Sequence, residues 1–178
     1  GLLAAFNIDE GDHTDNTPHR VAKAWADVLG GYTENPADHL ATTFTAPQNP
    51  GLVVVRNIRM QSTCAHHLLP ITGTATVAYR PRPGERVVGL SKMNRLVDGY
   101  ARRLQLDENI TSKVVDAIGD RLNPLWVACA ITADYGCMTL RGVRDECSDT
   151  MTFNEWGVRD SADVDAFWAA HVGGGRRG

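Results

Sequence analysis

The sequence predicts an α+β domain built on an antiparallel sheet, and three observations carry that prediction. Ile71-Thr72-Gly73-Thr74-Ala75-Thr76-Val77-Ala78-Tyr79 alternates with the two-residue period of a half-buried strand. Two stretches of helical period follow each other, with Leu96, Val97, Tyr100 and Leu104 on one apolar face and Val114, Val115, Ile118 and Leu122 on the next. Strand-like segments flank this helical pair on both sides, so the chain reads ββααββ after an N-terminal helix, an order that lays helices against an antiparallel sheet.

Each element has a local reason. Asn16 or Thr17 is a suitable N-cap, Pro18 suits the first helical turn, and Val21, Trp25 and Leu29 recur at helical spacing until Gly30-Gly31, predicting a helix from about Thr17 to Leu29. Pro36 through Pro50 is polar and aperiodic, hence a loop, and the β-branched run from Leu52 to Ile58 reads as a strand. After the strand at 71–79, Pro81 to Gly84 makes a turn and Val87-Val88-Gly89-Leu90 returns as the next strand. Ser91 caps the first helix of the pair, a break near Asp107-Glu108 starts the second, and Asn123-Pro124 stops it because proline cannot continue a helix. Two closing strands are expected, from Leu125 to Ala133 and from about Tyr135 to Val143. Thr150 to Phe153 reads as a further strand, Ser161 to His171 as a terminal helix, and Gly173 to Gly178 as a flexible tail. The expected organisation is an N-terminal helical segment over 1–36, a main domain over 37–172 and the tail over 173–178.

Composition bounds the function. A chain of 178 residues with 43% hydrophobic content can bury one good core, so a single domain is expected. A net charge of −3 argues against a nucleic-acid footprint, which needs a basic surface. No apolar run reaches the length of a membrane span, and Gly1 to Phe6 has no basic leader before the chain turns acidic at Asp9, so the expected location is cytoplasmic. Four cysteines in a chain of this size do not make a disulfide framework, and with histidine neighbours they favour metal over oxidation. Cys129 and Cys147 read as small hydrophobes, and His13, His19, His39 and His171 as surface residues.

The chemistry concentrates in Ser62-Thr63-Cys64-Ala65-His66-His67 and in Tyr135-Gly136-Cys137-Met138-Thr139-Leu140-Arg141-Gly142. One thiolate, a histidine three residues on and a distant second thiolate make a Cys2His set, which leaves tetrahedral zinc one open position for water. On the expected strand, Tyr135, Cys137, Thr139 and Arg141 share a face, with Cys137 and Arg141 about 13 Å apart. A metal at one end and a cation at the other suits a nucleotide lying along the strand. Lys92 and Arg95 sit on the first turn of the helix that starts at Ser91, where backbone N–H groups also favour anions.

Thr17-Pro18-His19-Arg20-Val21-Ala22-Lys23, the Cys64 run, Gly89-Leu90-Ser91-Lys92-Met93-Asn94-Arg95 and Cys137 to Val143 occur in the order seen in GTP cyclohydrolase I, and the chain resembles that family from about Thr17 to Val143. The resemblance implies the tunnelling fold, in which sheets of several subunits join into a barrel, two rings pack as a homo-oligomeric decamer, and active sites lie between subunits. It implies Zn2+ on Cys64, His67 and Cys137, with His66 as a catalytic histidine beside the metal. It also implies Glu108 as the guanine anchor, Ser91, Lys92, Arg95 and Arg141 as triphosphate or ribose contacts, and Arg20 and Lys23 as phosphate contacts from a neighbouring subunit. The implied reaction opens the imidazole ring of GTP at C8, releases formate and recloses to dihydroneopterin triphosphate.

Three positions depart from the family pattern. Ala65 stands where the family usually has glutamate, Asp107 where it often has glutamine, and Tyr135 where it has its second catalytic histidine. A phenol can donate a proton but is a poor base at neutral pH. Three readings therefore stay open: a complete GTP cyclohydrolase I, a diverged cyclohydrolase that stops at a formamidopyrimidine or uses another guanine nucleotide, and a catalytically silent nucleotide-binding homologue.

Overall fold

A five-stranded sheet organises the molecule, and different helices cover its two faces. The computed structural model describes residues 1–8 and 11–173. Helical turn α1 (Leu2–Ala5) and helix α2 (Thr17–Val28) lead through two 3-10 turns, Gly30–Thr33 and Pro36–Leu40, into strand β1 (Thr43–Thr45). Then come β2 (Val53–Cys64), β3 (Pro70–Arg80), β4 (Arg86–Val88), α3 (Ser91–Ala101), β5 (Leu104–Gln105), α4 (Asp107–Leu122) and β6 (Trp126–Tyr135). A helical turn α5 (Gly136–Thr139), strand β7 (Thr150–Gly157) and helix α6 (Ser161–Val172) complete the order. The sheet runs β5-β2-β3-β6-β7, antiparallel throughout except for the short parallel pairing of β5 with β2. The expected α+β class with an antiparallel sheet is thus what the chain forms, and among the described residues no helix is long and apolar enough to cross a membrane.

Alternation along the strands sorts side chains to the two faces. Ile71, Ala75, Val77 and Tyr79 of β3 and Val127, Cys129, Ile131 and Ala133 of β6 meet Met93, Leu96 and Val97 of α3 and Ile110, Val114 and Ile118 of α4 in the main core. Each of the valine, leucine, isoleucine and methionine side chains taken out of water contributes about 1.5–3 kcal/mol, which is what holds the helix pair on the sheet. The intervening residues Ala78, Trp126, Ala128 and Ala130 face α6, where Phe167 is fully buried and Trp168 packs alongside. Asp160 caps α6, accepting from the N–H groups of Ala162 at 2.9 Å and Asp163 at 3.3 Å. Arg80 ties the helix down by donating from Nε to Oδ2 of Asp163 at 2.7 Å, with a second guanidinium contact to Oδ1 and a third to the Pro50 carbonyl at 3.1 Å.

Strand β2 changes phase partway along. Val55 pairs with Val77 but the next core partner pair is Ile58 with Ala75, so β2 carries one extra residue there, with Asn57 in the left-handed region at φ 57°. This is a β-bulge. Before it Val53 and Val55 pack on the main core; after it Ile58, Met60 and Cys64 do.

Several expectations need correction. The second closing strand does not exist: β6 ends at Tyr135, and the chain enters a helical turn at Gly136. Residues 86–88 do not return against β3 but pair with 43–45, a strand inside the stretch expected to be loop. Ser91 is the first helical residue and caps nothing with its side chain; Leu90 holds the cap position. His171 is half-buried and engaged where a free surface residue was expected: Nε2 lies 3.0 Å from the Thr132 hydroxyl and Nδ1 3.0 Å from that of Thr76, and its ring stacks on Phe167. The helix at its end is slightly longer than expected, and the tail beyond residue 173 lies outside the described residues.

Candidate functional site

Three chain segments meet at one end of the sheet. Cys64 closes β2 and is 2% exposed, because the bulge has turned it toward the main core. The following turn is tied on both sides: Cys64 N–H donates to the Leu69 carbonyl at 2.9 Å, Leu68 N–H to the Cys64 carbonyl at 2.9 Å, and Ala65 N–H to the Gln105 carbonyl of β5 at 3.2 Å. Leu68 takes φ 55° to close it. The turn leaves Ala65, His66 and His67 exposed at its tip, with the two imidazoles edge to face at 6.2 Å between centroids.

Cys137 arrives from the opposite side on α5. Its placement depends on Gly136, where a Cβ would sit 2.9 Å from the Pro70 carbonyl oxygen, so only glycine lets the end of β6 come this close to the start of β3. The donor atoms of Cys64, His67 and Cys137 all lie within 4.8 Å of one another. Sγ of Cys64 is 3.8 Å from Nδ1 of His67. Tetrahedral bonds of zinc length to sulfur and nitrogen imply donor separations of about 3.5–3.8 Å, so the set fits such an ion with little movement. Burial and the adjoining Cys64 thiol push the Cys137 thiol up from its ordinary value, while Arg141 opposes them.

The helical turn also relocates Arg141. Instead of lying far along a strand face from Cys137, Arg141 folds back so that Nη1 is 3.2 Å from Nε2 of His67. A guanidinium only donates, so this contact assigns the lone pair to Nε2 and the ring proton to Nδ1, facing the Cys64 sulfur.

Beside the thiols, Tyr135 at the end of β6 packs on the main core and faces the start of α4. Asp107, first residue of α4, is fully buried, whereas its neighbour Glu108 is exposed. Burial raises the Asp107 carboxyl to about 6, against the hydrogen-bonding influence of the Tyr135 phenol, with the Glu108 charge adding to the rise. Burial also raises Tyr135 well above the ordinary phenol value, and the Asp107 charge adds to it. The burial of Asp107 against Tyr135 is a tertiary fact with no local signal in the sequence.

The remaining candidates stand apart within one chain. Ser91 and Arg95 are exposed and Lys92 half-buried on the first turn of α3, and Arg20 and Lys23 are exposed on α2. Among the described residues no ion pair engages Lys92, Arg95, Arg20 or Lys23, and no hydrogen bond ties them to the cysteine cluster. A cavity of about 660 Å³ opens between α2 and β2–β3, lined by Trp25, Val28, Ser62, Leu68, Ile71 and Arg102 among others, but none of the three clustered donors lines it.

The chain is similar to known proteins along most of its length. Residues 2–169 match the family profile described as GTP cyclohydrolase I. The GTP cyclohydrolase 1 of Desulforamulus reducens is 46% identical over 152 residues, covering 85% of this chain and 80% of that protein. That of Thermobifida fusca is 44% identical over 151 residues, covering 85% and 72%. Among solved structures, an archaeosine synthase QueF-Like in the apo form aligns with a TM-score of 0.50 at 20% identity, over 63% of this chain and 99% of that one, a likeness of fold.

Proposed function

The chain belongs to the GTP cyclohydrolase I family, and from that premise we propose that it is a zinc-dependent guanine-nucleotide cyclohydrolase that opens the imidazole ring of GTP at C8. The observation that carries the reading is the convergence of Cys64, His67 and Cys137 within 4.8 Å, two thiols and an imidazole that leave a tetrahedral ion one free position. Bound there, zinc would supply an activated water near neutral pH.

The chain's own residues supply the rest. His66, exposed beside His67, is placed to carry a proton to or from the opening ring. The exposed Glu108 carboxylate accepts from the guanine N1–H and 2-amino group, a pairing that its acceptor-only chemistry favours. Were Nδ1 of His67 to hold the metal, its ring proton would sit on Nε2, which could no longer accept from Arg141, and the guanidinium would be free for a phosphate. Lys92 and Arg95, unpaired at the N-terminal turn of α3, extend the anion site. Arg20 and Lys23 reach a phosphate of a neighbouring subunit. Assembly into a barrel of joined sheets, two rings forming a decamer, is supported by α2, which buries none of its own residues in the single chain.

Tyr135 favours a shortened reaction. Conversion of the opened nucleotide to formate and dihydroneopterin triphosphate needs further proton transfers, and a phenol raised above its ordinary value is a weak base for them. A product held at the formamidopyrimidine is the reading this residue supports. The test is incubation of zinc-loaded protein with GTP, with formate assayed, the nucleotide product weighed by mass spectrometry and pterin fluorescence followed. A hydrated, non-fluorescent nucleotide without formate is expected, and Tyr135→His then restores pterin formation. Fluorescent product from the unaltered chain would mean that turnover completes, and unchanged GTP would sink the cyclohydrolase reading.

A further inference from the structure

We propose that Asp107 is a positioning residue for Tyr135, and that the two act as one carboxyl–phenol unit at the wall of the candidate active site. Three observations carry it. Asp107 is 0% exposed, and neither carboxyl oxygen completes a hydrogen bond. A buried carboxyl left so costs free energy that a fold does not retain without a use, since an unpaired buried polar group loses about 1–3 kcal/mol. The Tyr135 phenol is the side chain that faces it, near enough to act on it as a donor while standing short of a formed bond, so a small rotation of the ring completes the contact.

The two positions are also complementary in kind. A phenol O–H donates and a carboxylate only accepts, so the pair satisfies itself without a third group. Both positions lie at the same end of the sheet, and they face each other. With its O–H directed to Asp107, Tyr135 keeps only acceptor capacity for a substrate, and it orients or accepts from that substrate in preference to protonating it. Glu108, next in sequence and exposed, remains free to hold the base.

This inference rests on the cyclohydrolase reading for its consequence, but its test does not. The chain has four tyrosines, so [13Cζ]tyrosine labelling gives four resonances, with Tyr135 assigned by Y135F. Asp107→Asn should move the Tyr135 signal and leave those of Tyr32, Tyr79 and Tyr100 in place. Tyr79, buried with its hydroxyl accepting from the Val88 N–H, reports that the fold is intact. Should D107N not fold, D107E keeps the carboxyl but displaces it by a methylene and should move the same signal. In turnover, D107N and Y135F should each lower kcat for ring opening about tenfold with KM little changed, and the double variant should lose no more than either. An unmoved Tyr135 resonance, or losses that multiply to about a hundredfold in the double variant, would overturn the pairing. Wild-type protein that leaves GTP intact would fail the cyclohydrolase reading instead, and the resonance would still decide the pair.

Discussion

His171, half-buried on one face of the sheet, and Asp107, fully buried on the other, are treated in opposite ways. On the α6 face, His171 has both ring nitrogens paired, to Thr132 and Thr76, and packs between Phe167 and Trp168. On the α3–α4 face, Asp107 is buried with both oxygens unpaired. Saturated polar groups rigidify a core, whereas an unsaturated one in a folded chain points to something the group is kept for. The α6 face is thus architecture, and the other face, at the end where Cys64, His67 and Cys137 meet, is where chemistry is expected.

The largest effect that would break this contrast is loss of the metal set. Cys137→Ala should abolish ring opening and reduce bound zinc from about one ion per chain toward none, measured by elemental analysis, while the helical content stays unchanged; zinc binding and turnover like wild type would refute the site. On the other face, Phe167→Ala should cost about 3–5 kcal/mol of stability in denaturant unfolding, the range for truncating a buried aromatic, yet leave the zinc stoichiometry of the folded fraction intact.

Acid sharpens the comparison, because the two groups carry opposite charges when ionised. The Asp107 carboxyl sits at about 6 in the folded chain against 3.8 unfolded, mainly through burial. Between those values the folded chain holds the extra proton, so this group favours folding at low pH and its contribution falls as pH rises toward about 6, by roughly 3 kcal/mol in all. His171 is lowered from 6.5 by burial, so the unfolded chain holds the extra proton and stability falls as pH drops below about 6.5. Thermal unfolding of D107N across pH 4–7 should therefore show the steeper acid loss of the two, the opposing carboxyl term having been removed. The smallest effect is expected of Thr132→Val, which takes one partner from His171 and should cost about 1 kcal/mol at neutral pH with kinetics unaltered.

Helices α2, α3 and α4 and strands β3 and β6 were legible because their periods are long and their stops are local: Gly30, Pro124 and the Asp107-Glu108 break. The metal set was legible for a related reason, since Cys64 and His67 are fixed by a short spacing. Residues 136–143 were misread because Cys137, Thr139 and Arg141 alternate as a strand would, while the contact that ends β6, Gly136 against Pro70, is made across the sheet. The pairing of 43–45 with 86–88, the double bonding of His171 and the meeting of Asp107 with Tyr135 are likewise set by partners far away in sequence.

The bulge at Arg56 and Asn57 makes the location of the candidate centre a matter of parity. Upstream of it the odd-numbered residues of β2 face α3 and α4, and downstream the even-numbered ones do. Straightening β2 at Asn57 with no residue removed, and every donor kept, would put Cys64 on the side of α6, across the sheet from Cys137, whereas deleting the extra residue straightens the strand and leaves Cys64 where it is. Whether this chain can gather its donors is therefore decided by how one surplus residue is accommodated most of a strand away from any of them, a condition that ligand spacing alone does not register.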